Sequence, residues 1–402
     1  MFKSLNFKVI LFGFIFTFFS SFGQSFFLGL FNPSIREALS ITHGQFGSIY
    51  ASATLLSSFI LIWVGKKIDD MNILKFSSLV ILFFAISSFM FSKITSITFL
   101  FISIFLMRLS GQGLMSLTAT STVSRFFEKT RGRALSISWL GLSLAEFILP
   151  LLVVFFLSIT NWRNVWLIIS LLIIFILPVV SILLVKDIKL DSRETKNEKK
   201  FNKVKIKHWT RIEVLKDYRF YIICANLLAM PWIFTGFAVF QSYISLSKNW
   251  GPYIIAQSFM AYSFLSVLTL FTSGFLIDKF TSRKLLIYMN IPLLFSVIIL
   301  FYFKNEFSSF FILAFMGISN GFANVLGSST WAELYGVKHI GSIKALTTGL
   351  MVFSTALGTA LFGILIDNSF SIEQIALVSS SYILIAISLL FLIKNKLNPN
   401  YL

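Results

Sequence analysis

Long apolar runs separated by short polar breaks fill almost the whole chain. A helix needs roughly 20 consecutive apolar residues to cross a bilayer. Such runs occupy residues 9–31, 46–64, 76–92, 97–122, 134–159, 164–185, 220–246, 252–277, 285–303, 307–331, 343–366 and 372–393. One polar break is long: Lys186 to Arg219 carries twelve Lys and Arg against six Asp and Glu, with six runs on each side. The pattern predicts an all-α membrane protein of twelve transmembrane helices in two six-helix bundles, residues 1–185 and 220–402, joined by a cytoplasmic linker at 186–219. Lys186–Lys200 reads as solvated linker. Beyond it Trp209, Ile212, Leu215 and Tyr218 recur every three residues, with Lys207, Arg211 and Lys216 on other faces. That spacing suits a short amphipathic helix at the membrane interface, with a partner-binding helix as the second reading. Thr42-His43-Gly44-Gln45 reads as a plain helix start that also fits a capping box.

The halves echo each other in detail. Gly65-x3-Asp69 follows the second run, and Gly274-x3-Asp278 follows the eighth, 209 residues later. Arg108-x4-Gly113, then Ser121-Thr122, Arg125 and Gly132, is mirrored by Gly321, Ser329-Thr330, Glu333 and Gly341 at offsets of 208 or 209. A duplicated unit in so apolar a chain points to a membrane transporter built from two pseudo-symmetric halves. The repeat breaks where charge enters the runs: Arg108 maps to Met316 and Glu146 to Thr355.

Composition agrees. Of the 402 residues 56% are hydrophobic and 12% charged, with a mean hydropathy of +0.85. A soluble domain carries about 25% charged residues, so this chain lacks the polar surface to cover itself. The net charge of +18 raises the question of nucleic acid, but its distribution answers it. With the N-terminus in the cytoplasm, the opposite side holds only Arg36, Lys93, Arg163, Lys248 and Lys304, and Arg108 lies inside a span. All other Lys and Arg fall on the cytoplasmic side. This is the positive-inside asymmetry, and it predicts a multi-pass protein of the cytoplasmic (inner) membrane with both termini cytoplasmic. No basic stretch is interleaved with stacking aromatics on a soluble fold, so no nucleic-acid role is expected. The 49 phenylalanines accompany abundant Ile, Lys and Asn, as expected of an AT-rich genome, and phenylalanine suits lipid-facing positions. Cys224 is the only cysteine, which excludes internal disulfides and cysteine metal clusters. The N-terminal run is too long for a signal peptide and lacks a small-residue cleavage site, so it reads as the first span.

Twelve runs, a basic central segment and the glycine–aspartate motif in both halves resemble the major facilitator superfamily over essentially the whole chain. In that family the loop after the second span carries Gly-x3-Asp followed by basic residues, and the motif recurs after the eighth. Here the second copy is the fuller one, with Gly274, Asp278, Lys279, Arg283 and Lys284, while Met71-Asn72 replaces the usual basic-glycine continuation in the first. A glycine at a helix end lets backbones approach closely, and a carboxylate there can cap a neighbouring helix N-terminus, worth about 0.3–1 kcal/mol. The resemblance implies a gate when the cytoplasmic side is closed. Asp69 would meet the start of the eleventh span near Lys344, and Asp278 the start of the fifth near Arg131 and Arg133. The alternative is a topological stop signal. Within the superfamily, Arg108-x3-Gln112-Gly113 with Arg125-Phe126-Phe127 and Arg131-Gly132-Arg133-Ala134 resembles bacterial carriers of the monocarboxylate and oxalate/formate type. The basic residues those carriers often place in the eighth and eleventh spans are missing here.

Arg108 and Glu146 lie near the middle of the fourth and fifth runs. A charge at the bilayer centre costs about 2.5–3.5 kcal/mol on insertion scales, so such groups face the bundle interior and find partners. Consecutive antiparallel spans bring their midpoints to a similar depth, which makes an Arg108–Glu146 pair reasonable. Either the pair is structural, or it is a coupling site. In the second case Arg108 holds an anionic substrate group with its planar fork, and Glu146 takes up a proton when the arginine turns away. Gln112 shares a helix face with Arg108, and Asn320 and Asn324 share one on the tenth span. The family's use of spans 1, 4, 7 and 10 adds Gln24, Trp232, Gln241 and Tyr262 as cavity candidates. For each alone, an interhelical hydrogen bond is an equal reading. Gly317-x3-Gly321 reads as close helix packing.

No Gly-x4-Gly-Lys-Ser/Thr phosphate loop is present, the three histidines are scattered, and no polar cluster marks a membrane enzyme. The expectation is a transporter that is no enzyme and uses no cofactor or metal. It would be a monomer in the lipid bilayer, moving a small organic anion, a monocarboxylate, with protons or a counter-substrate by alternating access. An exporter of amphipathic or cationic compounds recognised by Glu146 is the first alternative. A transporter-like membrane sensor is the second.

Overall fold

In the computed structural model the described residues are 4–127, 131–186, 208–336 and 339–398, and they contain helices and turns but no strand. Successive helices are α1 (Ser4–Ser20), α2 (His43–Asp70), α3 (Ile73–Ser92), α4 (Ile97–Phe126), α5 (Arg131–Ile159) and α6 (Trp162–Val185). They continue as α7 (Tyr218–Val239), α8 (Ile254–Phe280), α9 (Ile291–Tyr302), α10 (Ser308–Tyr335), α11 (Ile340–Asp367) and α12 (Ile372–Leu392). Among the described residues eleven helices are long and apolar enough to cross a membrane, and α9 is a shorter apolar helix. Two compact units form, one of residues 1–196 with 238–242, the other of residues 197–237 with 243–402.

Local chemistry explains the helix starts. Thr42 and Gln45 form the reciprocal capping box. Asn72, Ser96, Asn161 and Ser371 each accept a first-turn amide, satisfying donors that a helix end leaves orphaned. Large apolar side chains point outward: Phe175, Leu183, Phe275 and Leu392 are 64–77% exposed. An apolar surface of that kind suits lipid and not water.

Small residues set the tight crossings. On α5, a Cβ at Gly141 would run into the Phe14 carbonyl of α1, and the Thr17 hydroxyl donates to the Ser138 carbonyl at 2.5 Å. In the second unit, a Cβ at Gly317 would meet the Tyr262 carbonyl and one at Gly321 the Ser266 carbonyl at 2.6 Å. The close packing read from Gly317-x3-Gly321 is therefore that of α10 on α8. At Gly274 the expected close approach is absent: a Cβ there would meet nothing within 4 Å.

Three of the expected spans are interrupted. The first bends after a tight turn at Ser21–Gly23 and resumes as Ser25–Leu28 and Asn32–Leu39. The seventh stops at Val239 and restarts as Gln241–Ser247. The ninth starts late because Asn290 turns inward, donating to the Asn226 carbonyl at 2.6 Å and to its side chain at 2.7 Å, and Pro292 then opens the helix. The expected amphipathic segment shortens to Arg211–Lys216, capped reciprocally by Thr210 and Glu213. Val214 and Trp209 pack on the second unit, whereas Ile212, Leu215 and Tyr218 stay exposed. Residues 187–207 of the linker lie outside the described residues. The helix that follows is tied to the C-terminal segment: Arg219 pairs with Asp217 at 2.8 Å and donates to the carbonyls of Lys396 and Asn398 at 3.0 Å each.

Candidate functional site

The break in the first span creates the site. The hydroxyls of Ser20 and Ser21 bond back to the carbonyls of Thr17 and Phe18, at 2.7 and 2.5 Å. Such local bonds compete with the helix ladder and bend it. Gly23 closes the tight turn, Gln24 is extended (φ −84°, ψ 156°), and the Phe27 amide bonds Gln24 instead of Gly23. The Gly23 carbonyl is left for another donor, and Arg108 supplies it at 3.1 Å.

Arg108 is aimed there by a local widening of α4, which runs as a π-helix from Arg108 to Met115. Such insertions re-aim side chains and cluster at functional sites. The two irregular segments interlock through glycines. A Cβ on Gly23 would lie 2.5 Å from the Gln112 amide and 2.6 Å from the Met107 carbonyl, and one on Gly111 would lie 3.0 Å from Gly23. Only glycine permits this approach. Tyr50 on α2 completes the setting: the guanidinium lies over its ring at 5.4 Å, and its hydroxyl bonds the Ser25 hydroxyl at 3.1 Å.

Arg108 is 3% exposed, and among the described residues its hydrogen bonds run from Nη1 to Gly23 and, at 3.3 Å, to Ser25. Nε is buried without a partner. No carboxylate lies within ion-pair distance among the described residues. Glu146 is 8% exposed and likewise makes no hydrogen bond or ion pair there. The two charges expected to meet are thus both buried and not in contact. The Nε–Nη2 edge of the guanidinium, the edge that grips a carboxylate with two parallel bonds, makes no hydrogen bond among the described residues.

Gln24 and Gln112 are half-buried beside these segments. Gln241 is buried and donates to the carbonyls of Phe26 at 2.8 Å and Ala238 at 2.9 Å within the first unit. In the second unit Asn320 donates to Ser266 at 2.9 Å. Tyr262 stacks on Phe234 at 4.7 Å, and the Trp232 indole packs on Tyr382 and Phe362. Those four have internal partners. Asn324 is exposed and lines a cleft. Gly23, Ser25 and Tyr50 were missed by sequence reasoning. The signal was the polar string Ser20-Ser21-Phe22-Gly23-Gln24-Ser25 inside an apolar run.

At the glycine–aspartate motifs, Gly65 is buried, and a Cβ there would touch Leu117 of α4 at 2.8 Å. Arg125 donates to the Ile68 carbonyl at the end of α2 at 3.1 Å. Its repeat counterpart Glu333 instead accepts from the amides of Ser282 and Arg283, at 2.9 and 3.4 Å. Arg133 is exposed. The side chains of Asp69, Asp278 and Arg131 lie outside the described residues.

A family profile described as Major Facilitator Superfamily matches residues 13–256 and 221–400. No curated protein matches the chain in sequence. Among solved structures, the chain is similar to a bacterial homologue of the human lysosomal transporter Spinster in an inward-facing, occupied conformation. That likeness has a TM-score of 0.74 at 14% identity and covers 98% of each chain. It is also similar to the nucleoside transporter NupG, with a TM-score of 0.73 at 15% identity over 97% of this chain and 99% of that one.

Proposed function

This chain belongs to the major facilitator superfamily, and we propose that it carries a small organic anion, a monocarboxylate, across the cytoplasmic membrane by alternating access. One observation carries the proposal. Among the described residues Arg108 is a buried cation whose hydrogen-bond partners are all neutral and whose bidentate edge makes no hydrogen bond. An uncompensated charge at that depth is costly, and an anionic substrate would compensate it when bound. Serine, glycine carbonyl and tyrosine ring hold the guanidinium in place, so that little ordering is left for the binding step.

Glu146 supplies the coupling in this reading. Among the described residues its carboxylate has no ion-pair partner while Arg108 is held at Gly23, so it can bind and release a proton independently of the substrate. Protons or a counter-substrate then drive the cycle. In proteoliposomes, Arg108→Ala should abolish monocarboxylate uptake, and Glu146→Gln should abolish its acceleration by a proton gradient while exchange continues. Full uptake in Arg108→Ala would overturn the anion reading. The lone Glu146 carboxylate also favours a second reading, export of cationic amphipathic compounds. Cation efflux lost in Glu146→Gln, with Arg108→Ala still active, would support that one.

A further inference from the structure

Inside the second unit a cleft of about 150 Å³ opens between α7, α10 and α11. Cys224, Leu227, Trp331 and Met351 form apolar wall, and Asn324, Lys344 and Thr348 supply its polar groups. None of those three side chains makes a hydrogen bond or ion pair among the described residues. The neighbouring Thr347 hydroxyl, by contrast, is tied to the Lys344 carbonyl at 3.0 Å. Trp331 is fixed in place, stacked on Tyr335 at 5.9 Å and tilted against Phe220 at 5.3 Å. Lys344 stands in the second turn of α11, beyond the first turn where the helix dipole acts. The cleft's positive charge is therefore that of the Lys344 ammonium.

We propose that this cleft is a second anion site, separate from Arg108, for a small carboxylate bearing a ring or short apolar chain. The carboxylate sits on Lys344 and Asn324, with the apolar body against Trp331 and Met351. Size fits: a cavity of about 150 Å³ takes a benzene-sized guest. The start of α7, the end of α10 and the start of α11 meet here, on the side that the basic loops assign to the cytoplasm. The site is then one where cargo is loaded or released on that side.

Cys224, the only cysteine, lines the cleft and gives a direct probe. The test uses the purified full chain in lipid nanodiscs, N-ethylmaleimide labelling of Cys224 read by mass spectrometry, and benzoate with its neutral analogue benzamide as probes. At about ten times its dissociation constant benzoate should slow labelling about tenfold by mass action, and benzamide should not. Protection should vanish in Lys344→Gln at an unchanged melting temperature and persist in Arg108→Met. Several outcomes would overturn the site: Cys224 unreactive without ligand, no effect of benzoate, equal protection by benzamide, or protection surviving Lys344→Gln. Protection lost in Arg108→Met would place the bound benzoate at Arg108 instead. Because protection and uptake are read separately, failure of this site and failure of the Arg108 reading are distinguishable.

Discussion

Replacing Arg108 by methionine separates a structural charge from a functional one. The guanidinium has two hydrogen bonds to neutral oxygens, at 3.1 and 3.3 Å, and a ring face at 5.4 Å. Hydrogen bonds from a charged donor contribute about 1.5–3 kcal/mol each at good geometry, and 3.3 Å is already long. The ring adds about 0.5–2 kcal/mol. Against this stands a cost of about 2.5–3.5 kcal/mol for a charge at the bilayer centre. Methionine has similar length and fills the space, and Ser25 keeps its bond to Tyr50. Removing the charge should therefore change stability by no more than about 1–2 kcal/mol. That is a shift of no more than roughly 8 °C for a unit of this size. Breaking a buried ion pair would cost about 3–5 kcal/mol, or roughly 6–20 °C. Thermal unfolding in nanodiscs, run beside monocarboxylate uptake in proteoliposomes, reads both. The expected result is a near-normal melt with uptake lost. A melt lowered by roughly 10 °C would show Arg108 to be a structural partner, and a normal melt with normal uptake would remove it from the site.

Gly23→Ala should cost about 1–3 kcal/mol, because its Cβ would meet backbone atoms at 2.5 and 2.6 Å, and uptake should fall with the displaced Arg108. Gly274→Ala, where a Cβ meets open space, should be neutral or stabilising by up to about 1 kcal/mol; the two melts compared side by side check the pair. Lys248→Met should destabilise by about 2–3 kcal/mol, since a buried ammonium bonds Glu373 at 2.8 Å and the Leu300 carbonyl at 2.6 Å. A rescue of that loss by the double change with Glu373→Gln would confirm the pairing. Arg219→Gln should release the C-terminal segment held at Lys396 and Asn398, seen as faster trimming of the C-terminus by carboxypeptidase, and should lower the melt because it leaves the buried Asp217 carboxylate without its cation.

The spans were legible because each is long and apolar, and their starts because Thr, Asn and Ser caps stand at the first turns. What hydropathy cannot show is where an apolar run breaks. Ser20-Ser21-Phe22-Gly23 keeps the run apolar enough to read as one helix, yet two side-chain bonds and a glycine interrupt it. Nor does sequence spacing predict the π-helical widening at Arg108–Met115, which rotates every later side chain on α4. The Arg108–Glu146 pair was drawn from depth along straight helices. Depth says nothing of azimuth, and the widened turn sends Arg108 to Gly23 instead. The ionisable residues themselves were legible because charge inside a span is rare and expensive.

The duplicated scaffold also shows what a repeat conserves. Arg125 and Glu333 occupy equivalent positions and have opposite charge, yet both hold the loop beyond the preceding even-numbered helix. One donates to a carbonyl that α2 leaves free, the other accepts amides at the start of Ser282–Leu285. A helix end presents carbonyls and a helix start presents amides, so either charge can close the same joint according to which terminus it meets. The requirement preserved is a satisfied backbone at the joint, and the residue type is free. The same logic assigns the halves different chemistry at the next level. Met316 is fully buried where the first unit carries Arg108, and Thr355 hydrogen-bonds its own helix where the first carries Glu146. No unpaired charge sits at those positions of the second unit. Polar groups without partners among the described residues line the Lys344 cleft instead, so the two anion sites proposed above are built from unlike residues.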